Sequence, residues 1–106
     1  MISEDRAERA VEFIRDNADR VGELFGKCKA LDHKRKIVRG QAFLEHQTGS
    51  VAEREAKAET SEEYSAVVAE LENTWAEWKT LETRLRAAEL TYEAWRSQNK
   101  WANRGV

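Results

Sequence analysis

The feature that most constrains this chain is an uninterrupted stretch from Ser61 to Asn103 that contains neither proline nor glycine. Its apolar side chains recur at steps of three and four residues, the spacing that keeps one face of an α-helix apolar. These side chains are Tyr64, Val68, Leu71, Trp75, Trp78, Leu81, Leu85, Ala88, Tyr92 and Trp95. A straight helix of this length would reach roughly 65 Å at 1.5 Å per residue. It therefore needs an equally long partner, which we expect in the first half of the chain.

The first half carries a second apolar stripe of helical spacing, in which Arg35 stands where an apolar residue is needed. Its members are Ala7, Val11, Ile14, Ala18, Val21, Phe25, Cys28, Leu31, Val38 and Ala42. Ser3 as N-cap and Gly49 as C-cap predict a helix over about 3–47. Gly22 and Gly26 lie on one face and indicate either a weak point in the helix or the close approach of another helix; we prefer the weak point.

The connection between the two stripes contains two helix-start signals. Ser50 and Glu53 form a capping box that predicts a short helix over about 51–59. Thr60 and Ser61 then cap the long helix, predicted over about 61–103. The connection is therefore a structured corner, and we expect residues 1–106 to form a single domain.

Composition and charge indicate how the helices pack. Proline is absent and no segment alternates with period two, so we predict an all-α fold. Residues 27–39 carry six basic side chains and one acidic, whereas residues 50–77 carry two basic and eight acidic. Folding the chain back at the corner sets these opposite charges side by side. We therefore predict an antiparallel, coiled-coil-like hairpin of two long helices with a short helix at the corner.

A two-helix hairpin covers only one stripe per helix, and this chain has more apolar side chains than its two stripes contain. Val67, Leu90 and Phe43 lie off the predicted stripes, and the long helix is rich in tryptophan. An isolated helix pair of this size rarely supplies enough core. We therefore expect a homo-oligomer, most simply a dimer that forms a four-helix bundle. The alternative is a monomer whose extra aromatic side chains cover the corner and the open end.

Signals for catalysis or a bound metal are weak. The chain has no Gly-rich phosphate loop, no GxSxG and no HExxH motif. His33 and His46 would stand roughly 20 Å apart on one helix, too far to share a metal ion. Cys28, the only cysteine, is most simply a small buried residue. We expect no enzyme activity, no cofactor and no metal; without an apolar run long enough to span a bilayer, we expect a cytoplasmic protein of the host cell.

The most polarised segment is a basic run in the first helix, and it allows two interpretations. Its cations are Lys27, Lys29, Lys34, Arg35, Lys36 and Arg39. They could neutralise phosphates of a nucleic acid, with Lys34, Arg35, Lys36 and Arg39 as the candidate contacts. Alternatively, they pair across the hairpin with Glu70, Glu72, Glu77 and Glu82.

The C-terminal segment mixes tryptophan with cations. Aromatic side chains beside basic ones can stack on bases and bind phosphates, which makes Arg96, Lys100, Trp101 and Arg104 candidate contacts with nucleic acid or a partner. The same composition also describes the end of an amphipathic helix. Trp95 lies on the stripe and is expected in the core, whereas Trp101 lies off it and is the better exposed contact.

The second half of the chain resembles a group of small phage and prophage proteins that are helical throughout. The resemblance is carried by SVAEREAKA at 50–58, EEYSAVV at 62–68 and AAELTYEAWRSQNKWANR at 87–104. It implies a phage origin and a supporting role in phage DNA metabolism, such as replication or recombination. No functional residue carries over from it.

Two functions follow as hypotheses. The first is a non-enzymatic, oligomeric accessory protein that acts through nucleic acid or a nucleic-acid enzyme. The second is a protein–protein module, such as an adaptor or an inhibitor of a host protein, that contacts no nucleic acid. It would dock through its acidic residues 53–72 or through the apolar residues that lie off its stripes.

Overall fold

The computed structural model describes the backbone of residues 1–104 and the side chains of residues 1–101. This part of the chain contains three helices and no strand: α1 (Glu4–Glu45), α2 (Val51–Glu59) and α3 (Glu62–Arg104). The all-α prediction is confirmed, and the predicted helix bounds agree with the observed ones to within two residues. The long proline-free stretch is one continuous helix.

Local capping chemistry sets these bounds. The hydroxyl oxygen of Ser3 accepts a hydrogen bond from the backbone N–H of Arg6 at 3.1 Å. Ser50 does the same for Glu53 at 3.2 Å, and Ser61 for Tyr64 at 3.3 Å. Gly49, just beyond the end of α1, has a φ of 100°, which side-chain-bearing residues rarely adopt. The predicted N-caps Ser3, Ser50 and Ser61 therefore act as expected, whereas Gly49 stands four residues beyond the end of α1 and Thr60 is the C-cap of α2.

The chain divides into two compact units. Unit 1 combines Met1–Gly22 with the chain from Trp78 onward, and unit 2 is Glu23–Glu77. In unit 1, the side-chain amide of Gln98 exchanges two hydrogen bonds with the backbone of Ile2, at 3.0 and 3.2 Å. The first residues of the chain are thus bound to α3 near its end.

The helices of unit 2 run antiparallel. Lys27 of α1 pairs with Glu70 of α3, and Arg35, further along α1, reaches back to Tyr64, which is earlier in α3. The short helix α2 joins them, with Ala58 fully buried. The prediction of an antiparallel hairpin with a short corner helix is confirmed.

The seam between α1 and α3 follows a strict seven-residue repeat. Residues that recur at alternating steps of three and four, as in a coiled coil, are all buried or half-buried. In α1 they are Ala7, Ala10, Ile14, Asn17, Val21, Leu24, Cys28, Leu31, Arg35, Val38 and Ala42. In α3 they are Tyr64, Val67, Leu71, Thr74, Trp78, Leu81, Leu85, Ala88, Tyr92 and Trp95. We letter the repeat so that Ala7 and Tyr64 are a positions and Ala10 and Val67 are d positions.

This repeat corrects part of the predicted stripes. Of the predicted members, Val11, Ala18, Phe25 and Trp75 are exposed and Val68 is only half-buried. All five lie at e, immediately after a d position. The residues before four of them, Ala10, Leu24, Val67 and Thr74, are buried instead. The prediction that Val67 lies off the stripe was therefore wrong, because a broad apolar face does not show by periodicity alone which edge meets the partner.

An arginine that the sequence analysis did not single out holds the corner of unit 2. Arg54 of α2 donates a hydrogen bond from Nε to the backbone oxygen of His46, and Nη2 lies 3.4 Å from that of Phe43. Its guanidinium also stands over the Phe43 ring, 4.1 Å from the centroid. The last turn of α1 has no basic residue of its own. Arg54 therefore supplies the cation that the carboxyl end of a helix favours.

The helical glycines do not mark a close helix contact. A Cβ built at Gly22 or Gly26 would meet no other atom within 4 Å in the part of the chain that is described. The interpretation that these glycines let another helix approach is therefore wrong for the single chain. Their low helix propensity remains as their effect on α1.

Candidate interaction surfaces

Arg35 of the basic run is directed into the seam of unit 2. It occupies an a position, and its side chain is only 29% exposed. Its Nη2 and Nε donate to Oδ1 of Asp32 at 2.9 and 3.2 Å, and its Nη1 lies 3.4 Å from the Tyr64 hydroxyl. Arg35 is therefore occupied within the hairpin, and its position does not favour the predicted nucleic-acid contact.

This cluster changes the ionisation of both charged partners. The hydrogen bonds from the Arg35 side chain, helped by the nearby charge of Lys36, hold the pKa of Asp32 below its usual 3.8. In return, the hydrogen bonds with Tyr64 and then Asp32 raise the pKa of Arg35 above its usual value. Both groups stay charged across the physiological range, so the cluster is a fixed ion pair.

Three other members of the basic run also have acidic partners. Arg39 pairs with Glu59 at 3.0 Å, Lys27 with Glu70 at 3.7 Å and Lys36 with Asp32 at 3.6 Å. The alternative of pairing across the hairpin is thus confirmed for Lys27 and Glu70. Glu82 instead pairs with Lys79 of its own helix, at 2.9 Å. These pairs are exposed to solvent, so each contributes about 0–1 kcal/mol at most.

Two lysines of the basic run, Lys29 and Lys34, form no ion pair with a described carboxylate. Lys34 is exposed and makes no ion pair or hydrogen bond with another described side chain. Lys29 is exposed, and its Nζ lies 5.3 Å from the centroid of the Phe25 ring. Lys36, although paired, has a side chain that is 65% exposed. Lys29, Lys34 and Lys36 are therefore the accessible part of the run, and we call them the exposed lysines; Lys29 and Lys36 share the b face of α1, whereas Lys34 lies at g, on the other side of the helix.

The C-terminal candidates lie in unit 1, on the exposed side of α3. Trp95 lies at a d position of the seam with its ring 6.0 Å from that of Tyr92, but it is only half-buried, whereas the sequence predicted it in the core. Arg96 and Lys100 are exposed and line a shallow surface depression of about 360 Å³ with Glu93 and Ser97. Trp101 is 71% exposed. The side chain of Arg104 lies outside the described residues, although its backbone ends α3.

Unit 2 also has an apolar surface that the sequence analysis did not place. Lys27 and Glu70 each occupy a g position, the residue just before an a position, and their side chains contact each other. The g positions of the two helices therefore lie on one flank of the hairpin. The e positions therefore share the opposite flank. They include Phe25, which is 46% exposed, Trp75, which is 53% exposed, and half-buried Val68. We call these three residues the apolar flank.

Unit 1 has a groove of about 310 Å³ with acidic walls. Tyr92, Trp95, Ala7 and Val11 supply its apolar surface, and Glu4, Glu8 and Glu12 stand along α1 at its rim with Arg15. The carboxylates are exposed and spaced by one helical turn. The groove is open to solvent and has the charge to receive a basic segment.

The described residues offer no group of three or more His, Cys, Asp or Glu side chains placed to hold a metal ion. Within the same residues, none of the helices combines the length and apolarity needed to cross a membrane. Comparisons with protein-family models, curated proteins and solved structures found no match to the chain. The function must therefore be argued from the chain's own surfaces.

Proposed function

We propose that this chain is a non-enzymatic accessory protein of a phage or prophage that supports DNA metabolism in the host cytoplasm by contacting nucleic acid or a nucleic-acid enzyme. The observation that carries the proposal is the exposure of three lysines of the basic run in unit 2, Lys29 and Lys36 on one face of α1 and Lys34 on another. The resemblance of residues 50–104 to small phage proteins supports the same setting.

The exposed lysines suit phosphate contact better than the other cations of the basic run do. Lys34 lacks a described acidic partner, and the pair between Lys36 and Asp32 is long, at 3.6 Å, and open to solvent. An exposed pair of this kind costs about 1 kcal/mol or less to separate. A phosphate can therefore displace it, and each lysine so engaged releases counterions from the nucleic acid.

Unit 1 supplies a second cationic surface through Arg96 and Lys100, beside exposed Trp101. A tryptophan near cations can stack on an unpaired base. This composition favours single-stranded over double-stranded nucleic acid, because bases in a duplex offer no free face for stacking.

A salt titration of binding to single- and double-stranded DNA of mixed sequence tests the proposal. We expect affinity to fall steeply with salt and to fall about tenfold or more in the double variant Lys34→Glu/Lys36→Glu at low salt. The matched control is Lys57→Glu/Arg84→Glu, which changes the net charge equally at exposed sites elsewhere. No binding at low salt, or an equal loss in the control, would contradict the proposal.

A second candidate is a protein–protein module that contacts no nucleic acid. It is favoured by the exposed carboxylates of Glu62, Glu63 and Glu72 in unit 2, which make no ion pair with another described residue. Such a surface suits a basic segment of a host protein. If the chain fails to bind DNA at low salt while remaining folded, this candidate takes precedence.

A further inference from the structure

In unit 2, the apolar face of each long helix is wider than the part that packs in the seam of a two-helix hairpin. A two-stranded coiled coil needs apolar residues only at a and d, whereas helices that face the core of a bundle are also apolar at e or g. In unit 2, α1 has Phe25 at e and α3 has Val68 and Trp75 at e. The hairpin leaves both aromatic side chains about half exposed.

The two flanks of unit 2 differ sharply. On the g flank stand Lys27 and Lys34 from α1 with Glu63 and Glu70 from α3, all charged. On the other flank, Phe25, Val68 and Trp75 are apolar. Towards the corner the e position of α1 becomes charged again, with Asp32 and Arg39. The apolar flank is therefore a bounded patch with a polar border, the arrangement that marks interaction sites on soluble proteins.

We propose that a second copy of this chain covers the apolar flank, so that two hairpins form a four-helix bundle. The two copies are related by a two-fold axis, which sets α1 of one copy against α3 of the other. Phe25 and Trp75 of each copy then lie at the centre of the new core. This interface goes beyond the proposed function and does not depend on nucleic-acid binding.

The charges beside the apolar flank identify the occupant as a second copy. The b position lies next to e on the helix surface. There α1 carries Lys29 and Lys36, whereas α3 carries Ser65, Glu72 and then Lys79, whose charge is paired with Glu82 at 2.9 Å. The α1 border is therefore basic, and the α3 border offers Glu72 as its unpaired acidic counterpart among the described residues. A two-fold interface brings each border of one copy to the opposite border of the other, so this surface is complementary to itself. Lys29 already stands over the Phe25 ring, at the edge of the patch.

Sedimentation equilibrium of the full chain tests this interface. We expect the wild-type chain to be a dimer and Trp75→Glu to weaken dimerisation by roughly 30-fold or more, because a central tryptophan is a typical hot spot. Phe25→Lys, on the other helix, is expected to have a similar effect. The matched control is Leu90→Glu, another exposed apolar residue of α3 (50% exposed) that lies at an f position, away from the seam.

Circular dichroism confirms that each variant is still helical; because Trp75 and Phe25 are exposed, at least one of the two variants should fold. A wild-type chain that stays monomeric at the highest concentration overturns the proposal. So does a dimer that persists in both Trp75→Glu and Phe25→Lys, or one that Leu90→Glu weakens just as much. Loss of the dimer in the first two variants and its retention in the third supports the proposed interface.

Discussion

In unit 2, Arg35 and Tyr64 both occupy a positions of their helices, and Nη1 of the arginine lies 3.4 Å from the tyrosine hydroxyl. A charged residue in the seam of a coiled coil needs polar partners, and here Asp32 and Tyr64 provide them. Polar residues at single a positions are known to specify helix register at a cost in stability. The Arg35 cluster therefore explains how the apolar stripe of α1 tolerates a cation.

Replacing Arg35 by leucine should raise the free energy of unfolding by about 1 kcal/mol, since an apolar residue at a fills the seam without desolvating a charge. Urea denaturation at one protein concentration measures the change. The control is Arg39→Gln, which removes an exposed cation at e and should lower stability by less than about 1 kcal/mol. A loss of stability in Arg35→Leu would show that the polar cluster contributes more than the apolar contact that replaces it.

Asp32 should titrate below 3.8 in the folded chain, because the hydrogen bonds from Arg35 favour its charged form. A depressed pKa means that the folded state binds this proton more weakly than the unfolded state does. The resulting stability is therefore present above the unfolded pKa and is lost as the pH falls through the folded pKa, in the range below about 4.

A carbon-detected NMR titration of the Asp32 carboxyl group measures this pKa directly. In Arg35→Leu the value should return towards 3.8, whereas Lys36→Gln should move it less, since Lys36 contributes less to the shift. The assignment to Arg35 fails if the titration midpoint is the same in wild type and Arg35→Leu.

Two glycine-to-alanine changes should have opposite effects. Gly40 is exposed inside α1, and a Cβ there meets no atom within 4 Å, so Gly40→Ala should stabilise the fold by about 1 kcal/mol. Gly49 has a φ of 100°, and an added Cβ would stand 2.5 Å from Oε2 of Glu53. Gly49→Ala should therefore cost about 1–2 kcal/mol. Thermal unfolding of both variants provides the comparison, and a shift of the same sign in both would contradict it.

Two leucines on the long helices test the seam. Leu24 is 2% exposed at a d position, so Leu24→Ala should lower the free energy of unfolding by about 2–4 kcal/mol. Leu90 is 50% exposed, and Leu90→Ala should change it by less than about 0.5 kcal/mol. Chemical denaturation of the two variants under the same conditions measures both effects. Equal losses would mean that the repeat places the seam on the wrong residues.

Much of the fold could be predicted from local chemistry. Ser3, Ser50 and Ser61 are caps because their hydroxyl groups satisfy the first free N–H groups of a helix, whatever else the chain does. Gly49 lies in the connection between α1 and α2, where few other residues accept its backbone conformation. These signals need no distant residue, and they predicted all three helices closely.

The candidate surfaces could be predicted only in part. The basic run was evident as a cluster of charge, but the fates of its members depend on residues that are far away in the sequence. Arg35 is occupied because Tyr64 lies opposite it, and Arg39 is occupied because α2 brings Glu59 within 3.0 Å. Lys34 has no such partner. The distribution of charge along a helix can thus be predicted from the sequence. Which of these charges are neutralised depends on the helices that pack beside them.

The seam between α1 and α3 could be predicted in kind but not in its exact residues. The apolar residues of α1 and α3 specify long amphipathic helices and their antiparallel charge pattern, because spacing and composition are properties of a single helix. They do not specify which edge of a broad apolar face meets the partner. Packing of α1 on α3 buried Leu24 and Thr74 and left the adjacent Phe25 and Trp75 on the surface. A helix presents an apolar stripe about three residues wide, but it buries only the part of that stripe that its neighbour covers. The tertiary contact therefore decided which of two adjacent residues is buried.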